Sequence, residues 1–332
     1  MTRQWKSKPI IITIVLALLL TMAVVLVIHE NPFADPKEEL VKKIVACGII
    51  ALGGVFFVVK YDKLITLPVE LFQNRRLIWK LARNDFKTRY AGSWMGMVWA
   101  FVQPVVTIAL YYFVFEVVFT SRAQLVAGGI QTPYVLWLTA GLVPWFFFSE
   151  AINNGTNALL EYNYLVKKVV FKISILPIIK VIAASFIHCF FVVFMLIMYF
   201  LYGYPLDAYL LQIIYYSLCM FLLVLAFSYS TCAIVVFFRD LGQIINIFLQ
   251  VGMWATPILW NINTFQQPVV QFILKLNPVF YIVNGYRSAL FEKTWFWEDF
   301  YSTMYFWIFT AVLFGIGTLI FKKLKVHFAD VL

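Results

Sequence analysis

Long apolar blocks separated by short polar segments dominate the sequence, and they decide its fold class. A segment of about 17–25 apolar residues can cross the hydrocarbon layer of a membrane. The chain is 63% hydrophobic and only 13% charged, which is too few polar side chains to cover a water-facing surface, where about a quarter of residues are charged. We therefore predict an all-α polytopic membrane protein. The eight blocks are Pro9–Ile28, Ile44–Val59, Met95–Phe119, Thr132–Ser149, Val181–Tyr202, Ala208–Phe238, Ile244–Trp260 and Tyr301–Phe321.

The distribution of basic residues predicts how the chain is oriented. If the N-terminus is inside and the chain crosses eight times, 19 of the 26 Lys and Arg residues lie on the inner side. Cytoplasmic loops carry such an excess of Lys and Arg, so we expect both termini in the cytoplasm. The same asymmetry explains the net charge of +10 without a nucleic-acid partner. The first block is too long for a signal peptide, so we interpret it as an uncleaved span.

The segment Leu71–Tyr90 differs from the apolar blocks because apolar and basic residues alternate in it at helical spacing. Phe72, Trp79 and Phe86 recur every seven residues, and the basic residues follow a second stripe. A helix with one apolar and one basic stripe lies in the membrane interface. For any single cation, the simpler interpretation is a solvated residue attracted to anionic lipid. The basic residues are Arg76, Lys80, Arg83, Lys87 and Arg89.

Motifs for catalysis, metal binding and nucleotide binding are missing from the sequence. No Gly is followed by Lys, so the phosphate-binding P-loop is absent, and so are the spacings typical of hydrolases and zinc sites. We therefore predict no catalytic residues, no metal and no cofactor bound by this chain. The apolar blocks offer only His188 and Glu116 as ionisable groups, fewer than an ion-coupled carrier usually needs. For His188 we favour a structural hydrogen bond over a proton relay.

Aromatic residues make up 19% of the chain, and many of them belong to the belts at the two membrane interfaces. We predict that a subset lines a path through the membrane, because sugar rings stack on aromatic faces while Tyr and Trp also offer hydrogen bonds. The alternative for each ring is a position against lipid. The predicted path residues are Tyr111, Tyr112, Phe115, Trp145, Phe148, Trp254 and Trp260.

Two segments between the blocks are predicted to fold locally. The segment after Ser149 has a turn-prone start at Asn153, Asn154 and Gly155, and it has room for one short helix. The segment 261–300 contains two apolar pieces beside Asn277 and Pro278 that are too short to cross. Re-entrant or interfacial helices fit these pieces, because irregular backbone at membrane depth must be buried in protein or line a cavity.

Six stretches, taken together and in order, resemble one family. The chain is similar to the membrane subunits of ATP-binding-cassette exporters for lipid-linked polysaccharides, which include O-antigen, capsule and teichoic-acid permeases. The likeness runs from about Leu71 to Leu332. The stretches are "NDFKTRYAGSWMGMVWAFVQP", "GLVPWFFFSEAINNGTNALLEYNYLVKKVVF", "ILP" at 175–177, "FFRDLGQIINIFLQVGMWATPILW", "LNPVFYIVNGYRSALF" and "FKKLKVHFADVL".

The resemblance implies an architecture and a set of partners. Family members have six spans, pair as homodimers, bind two copies of a separate ATPase that holds ATP and magnesium, and lie in the bacterial cytoplasmic membrane. This chain would then have a six-span exporter permease core at 95–332, an amphipathic cytoplasmic interface helix at 67–94, re-entrant outer helices and an extra two-span N-terminal hairpin at 1–66. Its substrate would be a lipid-linked polysaccharide, and it would itself be a transport subunit, not an enzyme.

The resemblance also assigns roles to particular positions. Asn277 and Pro278 match the outer gate, and the basic residues of the interface helix would meet the lipid head of the substrate. Many relatives have Pro-Arg-Glu before "ILP", where this chain has Lys172, Ile173 and Ser174, so the contacts to the ATPase are expected to differ in detail. The residues that match the loop docking on the ATPase are Asn154, Tyr164, Leu165, Lys167, Lys168 and Phe171.

Two other function classes are alternatives to a polysaccharide exporter. A permease of the same class for drugs or small lipids is the near alternative. A polytopic glycosyltransferase or acyltransferase would also handle lipid-linked sugars, but it should show a loop constellation of carboxylates or histidines. Glu292, Glu298 and Asp299 cluster in the sequence, yet they are more simply surface charges. A purely structural membrane scaffold fits the six matching stretches least.

Overall fold

A computed structural model describes residues 2–28, 36–89, 95–118, 124–125, 131–167, 172–262 and 267–332. Nearly all of these residues are helical, which confirms the prediction of an all-α polytopic membrane protein. Within the described ranges, extended structure is limited to β1 (Gln124–Leu125) and β2 (Gln131–Thr132). The two strands are antiparallel, with Gln124 opposite Thr132.

The chain divides into two compact units, residues 1–69 and residues 70–332. In the first unit α1 (Thr2–Ile28) packs on α2 (Pro36–Leu64), and Lys8 Nζ lies 2.8 Å from Asp62 Oδ2. Apolar side chains on the outside of this hairpin remain exposed, as they do on helices that meet lipid. The division into 1–66, 67–94 and 95–332 stays a prediction.

The described part of the second unit is mainly helical. Two π-helical turns, Phe113–Val118 and Ser288–Glu292, each extend the end of an α-helix. Helix α3 (Thr66–Gln73) contains the boundary between the units. The remaining helices are α4 (Arg75–Arg89), α5 (Trp99–Tyr112), α6 (Tyr134–Glu161), α7 (Asn163–Val166), α8 (Leu176–Leu201), α9 (Gln212–Val235), α10 (Leu241–Ala255), α11 (Pro268–Lys275), α12 (Pro278–Arg287), α13 (Phe300–Leu324) and α14 (Phe328–Val331).

Seven helices in the described ranges are long and apolar enough to cross a membrane. The remaining predicted block, Ile244–Trp260, corresponds to the shorter α10. Its 15 residues span about 22 Å at 1.5 Å per residue, so eight crossings stay a prediction. The seven are Lys8–Ile28, Glu39–Leu64, Trp99–Val118, Tyr134–Glu161, Ile173–Leu201, Ala208–Val235 and Phe300–His327.

Helix α6 is the centre of the second unit, since it packs against α5, α8, α9, α10 and α12. It runs without a break through Asn153, Asn154 and Gly155 to Glu161, so the expectation of a turn at these residues was wrong. The physical reason is packing: a Cβ on Gly155 would lie 2.8 Å from the Cβ of Ser228 on α9. The glycine therefore serves the close approach of two helices instead of ending one.

Candidate functional site

A cavity of about 800 Å³ is lined by α5, α6 and α10, together with Ile187 of α8. On the α5 side, Gln103, Thr107 and Tyr111 line it at intervals of four residues. Residues four apart share one face of a helix, so these three side chains form a polar stripe along a helix that is otherwise apolar. Trp99 and Pro104 complete this side of the cavity.

The facing side of the cavity belongs to α6 and α10. Trp145, Ser149 and Glu150 of α6 line it, so an aromatic ring, a hydroxyl and a carboxylate face the polar stripe. The indole of Trp145 rests against α10, where a Cβ on Gly252 would lie 3.0 Å from the ring. Met253 lies beside that glycine, with its Sδ 4.0 Å from the Tyr111 hydroxyl. The cavity therefore offers aromatic faces and hydrogen-bonding groups together.

The predicted path residues fall in three places. Tyr111 and Trp145 line the cavity. Phe148 is as buried as Trp145 but packs edge-on against Phe227 of α9, and it is not among the residues that line the cavity. The other four lie elsewhere: Phe115 has its ring 5.6 Å from that of Tyr134, Tyr112 and Trp254 are exposed on α5 and α10, and Trp260 donates to the carbonyl oxygen of Trp254.

Helix α4 presents one buried face and one basic face. Ile78, Ala82 and Asp85, which share a helix face, are buried. The predicted apolar stripe begins on α3 with Phe72, which is exposed, and continues with Trp79, which is exposed while its ring contacts Phe186 of α8. Exposed rings are what a helix in the membrane interface presents to lipid, so the interface position stays a prediction. Four of the five predicted cations are exposed on this helix: Arg76, Lys80, Arg83 and Lys87.

The fifth predicted cation, Arg89, joins α4 to the cavity. Its Nη1 lies 2.6 Å from Oε1 of Glu150, which lines the cavity, and its Nη2 lies 3.4 Å from Oδ2 of Asp85. Both Arg89 and Glu150 are about one-quarter exposed. Its role at the lipid head stays a prediction, but in this structure Arg89 is engaged with protein carboxylates at the α4 end of the cavity.

Asp85 is the centre of a group of charged and polar side chains that sequence reasoning missed. Lys180 Nζ on α8 donates to Asp85 Oδ1 at 2.7 Å and to Glu161 Oε2 at 2.5 Å, and the Tyr162 hydroxyl donates to Asp85 Oδ1 at 2.5 Å. Asp85 and Lys180 are almost fully buried. Burial, followed by the neighbouring Asp85, raises the pKa of Tyr162, so its phenol stays protonated and remains a donor. We call Asp85, Arg89, Glu161, Tyr162 and Lys180 the Asp85 cluster.

The loop predicted to dock on an ATPase begins after Glu161. It contains α7, in which Tyr164 is exposed and Leu165 is half-buried, and Lys167 after it is exposed. Asn154 lies instead inside α6, where its Nδ2 is 3.5 Å from Glu150 Oε1. Lys168 and Phe171 lie outside the described residues. The docking role of all six positions stays a prediction.

The predicted outer gate is built on hydrogen bonds around the end of α10. Asn277 begins α12, accepting from the Val279 N–H at 3.0 Å and donating to Thr256 Oγ1 at 2.8 Å. The buried Arg287 donates to the carbonyl oxygens of Pro257 at 2.6 Å and Ile258 at 2.8 Å. Irregular backbone after α10 thus has partners, as it must at membrane depth. The gate role of Asn277 and Pro278 stays a prediction.

The two ionisable groups predicted within the spans lie away from the cavity lining. Glu116 is half-buried in the π-helical turn after α5. His188 Nε2 lies 3.1 Å from Ser217 Oγ and 3.2 Å from the Tyr286 hydroxyl, and its ring stacks on Phe147. This arrangement fits the structural hydrogen bond predicted for His188. Among the described residues, no three His, Cys, Asp or Glu side chains are grouped as a metal site requires.

The sequence model of the ABC-2 type transporter family matches residues 76–291, a range that contains α4, the cavity, the Asp85 cluster and α12. The chain belongs to the ABC-2 type transporter family. Two similar proteins are named O-antigen export system permease protein RfbA. The one from Myxococcus xanthus is 28% identical over 271 residues, which are 80% of this chain and 99% of that protein. One from Klebsiella pneumoniae is 27% identical over 258 residues, covering 76% of this chain and 93% of its own length.

The ABC-2 match leaves α1, α2 and α3 outside it at one end and α13 and α14 at the other. The Myxococcus protein is almost completely covered while about a fifth of this chain is not, so the present chain carries additional sequence relative to that protein. As a member of a transporter family with seven membrane-competent helices, the chain is a multi-pass membrane protein.

Proposed function

We propose that the chain is the membrane subunit of an ATP-driven exporter that moves a lipid-linked polysaccharide of the O-antigen class out of the cytoplasm. The observation that carries this proposal is the cavity between α5, α6 and α10, where the polar stripe faces Trp145, Ser149 and Glu150. The names of the two RfbA relatives support the same substrate class.

The chemistry of the cavity suits sugars. The Gln103 amide and the Tyr111 hydroxyl can each donate and accept, and sugar hydroxyls need both kinds of partner. The Thr107 hydroxyl donates to the backbone carbonyl oxygen of Gln103 at 2.9 Å, so it offers the cavity an acceptor. Trp145 and Trp99 supply flat apolar faces for the C–H faces of sugar rings. The stripe from Gln103 to Tyr111 covers eight residues, about 12 Å of helix at 1.5 Å per residue. Such repeated contacts allow a long chain to slide because no single contact is strong.

The alternatives have less support. The cavity lining is itself largely apolar, as it would be in an exporter of drugs or small lipids, so the names of the RfbA relatives are what favour polysaccharide over that alternative. A glycosyltransferase or acyltransferase needs acid and base groups at its substrate, whereas Glu150, the carboxylate that lines the cavity, is paired with Arg89. The ABC-2 membership points to transport in any case.

Energy would come from a separate ATPase chain that holds ATP and magnesium. Two copies of the permease, bound to two copies of the ATPase, would form the exporter in the bacterial cytoplasmic membrane. The excess of Lys and Arg on one side of the chain supports cytoplasmic termini, with α4 and the loop after α6 on the cytoplasmic side. There the exposed cations of α4 would attract the phosphates of the lipid head.

A deletion strain and a purification test this proposal together. Cells that lack the chain should lose surface polysaccharide, measured by lectin or antibody labelling, and should accumulate lipid-linked polysaccharide inside. The affinity-purified chain should bring down a separate ATPase and should hydrolyse no ATP by itself. Normal surface polysaccharide in the deletion strain, or ATP hydrolysis by the isolated chain, would contradict the proposal.

A further inference from the structure

Asp85 occupies an unusual position for an acidic residue. It lies on the buried face of an interface-type helix, in line with Ile78 and Ala82, and it is 6% exposed. It accepts hydrogen bonds from Tyr162 and Lys180 and contacts Arg89. A buried carboxylate is costly unless it is paired and hydrogen-bonded. Asp85 has both kinds of partner, and they come from three different elements.

These partners flank the loop between α6 and α8 on both sides. Glu161 and Tyr162 lie where α6 ends, and Lys180 lies in the first turns of α8. The second flank has a further bond, since Ser174 Oγ donates to a carboxylate oxygen of Glu70. The backbone carbonyl of Ser174 in turn accepts from the buried Tyr229 hydroxyl at 2.8 Å. The segment 70–89 is therefore bonded to both ends of this loop.

The same helix also reaches the cavity. One turn after Asp85, the guanidinium of Arg89 lies 2.6 Å from the carboxylate of Glu150, and Glu150 lines the cavity. Helix α5, which carries the polar stripe, begins at Trp99. Asp85 thus lies between the loop on one side and the Arg89–Glu150 pair on the other, with contacts to both.

We propose that Asp85 is a positioning residue that makes the two described ends of the loop, 162–167 and 172–175, move as one body with helix α4 and the α4 end of the cavity. A displacement of the loop would be passed through Lys180 and Tyr162 to Asp85, and through α4 to the Arg89–Glu150 pair and to α5. This inference rests on the proposed function, because it treats the loop as the place where an ATPase acts. The buried, hydrogen-bonded ion pairs of the Asp85 cluster hold α4 and the ends of the loop in fixed relative positions, whereas apolar contacts alone would let them slide past each other.

The first test needs no partner protein. Hydrogen exchange is measured on the purified full chain carrying Asp85→Asn, with Asp330→Asn as a matched control, since Asp330 is an exposed acid in α14. We expect exchange to become about tenfold faster in α4, in 162–167 and in 172–180 together, because segments deprived of a shared buried partner open locally at lower free energy. Faster exchange confined to α4 would overturn the proposal.

The second test uses the complex of the chain with its ATPase. Surface polysaccharide delivered per ATP hydrolysed should fall about fivefold in Asp85→Asn, a size typical of a broken coupling interaction, and Asp85→Glu should restore part of it. A purely structural role would lower transport and ATP hydrolysis together and leave their ratio unchanged, which would overturn the proposal. If no ATPase binds even the unaltered chain, the proposed function fails, whereas the exchange test still decides whether the joint exists.

Discussion

Helices α5 and α6 line the same cavity but are held in the protein very differently. Of the residues in the most apolar 18-residue stretch of α6, 83% are buried inside the protein. In the corresponding stretch of Trp99–Val118, which contains α5, 6% are buried. Neighbouring helices surround α6, and its glycines allow them close approach. By contrast, α5 has the cavity on one face and exposed apolar residues such as Val106 and Leu110 on others.

This difference indicates a division of labour between a fixed helix and a movable one. Elements with few buried contacts open or shift at lower free energy than the core does. We therefore expect α6 to hold Trp145 in place and α5 to be the helix whose polar stripe shifts relative to it. Substitutions around α6 should lower stability, and substitutions on the cavity face of α5 should lower transport while stability is unchanged.

The largest effect on stability is expected where α12 is anchored to α6. Arg287 lies with its guanidinium 3.4 Å from the centre of the Trp137 ring and donates to the carbonyl oxygens of Pro257 and Ile258. Arg287→Met should lower the free energy of unfolding by about 2–4 kcal/mol, because two buried carbonyls lose their partners at about 1–3 kcal/mol each. The thermal midpoint of the purified chain in detergent measures this destabilisation.

Arg239→Met provides the matched control for that change, since Arg239 is exposed after α9. It should leave the midpoint within error. If Arg287→Met were as stable as the control, α6 would not depend on this anchor, and the contrast with α5 would have to rest on its other contacts.

A smaller destabilisation is expected where α6 meets α9. A Cβ on Gly155 would lie 2.2 Å from Ser228 Oγ and 2.8 Å from Ser228 Cβ. Gly155→Ala should therefore destabilise the protein by about 1–3 kcal/mol, which is the usual cost of overpacking. The same thermal measurement applies.

Removing the obstructing atoms should sharpen this result. In Gly155→Ala with Ser228→Gly, the midpoint should recover in part, although glycine in a helix itself costs about 1 kcal/mol. No recovery in the double variant would mean that the strain comes from somewhere other than Ser228.

The smallest effect on stability is expected on α5. Gln103→Leu combined with Thr107→Val removes two hydrogen-bonding groups from the cavity face, and neither residue is buried. Stability should stay within about 0.5 kcal/mol, as for surface changes. Surface polysaccharide should fall about thirtyfold, since a sliding chain would lose two hydrogen bonds of about 1 kcal/mol each and about 1.4 kcal/mol corresponds to a factor of ten.

Val105→Leu is the matched control on α5, because position 105 lies on the side of the helix opposite Thr107. It should change neither stability nor transport. A transport defect equal in both variants would show that α5 acts through its bulk and not through the polar stripe.

Much of the fold could be predicted from the sequence because a membrane span leaves a strong local signal. Runs such as Pro9–Ile28 and Tyr301–Phe321 exceed the length that the hydrocarbon layer requires, and seven of the eight predicted blocks correspond to membrane-competent helices. The short helices beside Asn277 also follow from length, since neither is long enough to cross.

The contacts between helices could not be predicted in the same way. Asn153, Asn154 and Gly155 favour a turn locally, but packing against Ser228 keeps them in α6. Asp85 continues the stripe of Ile78 and Ala82, yet its burial depends on Lys180, which lies 95 residues away. Phe148 is as aromatic as Trp145, and only the tertiary fold decides which of them meets the cavity.

The end of α10 has a consequence for the order in which the protein is made. The backbone from Pro257 to Leu259 accepts hydrogen bonds from Arg287 and from the Tyr134 hydroxyl. During synthesis Tyr134 precedes this segment, but Arg287 emerges about thirty residues after it. Until then two carbonyl oxygens would meet lipid without a partner, at a cost that membranes do not tolerate. We therefore expect the nascent chain to complete this part of its membrane integration only after α12 has been translated.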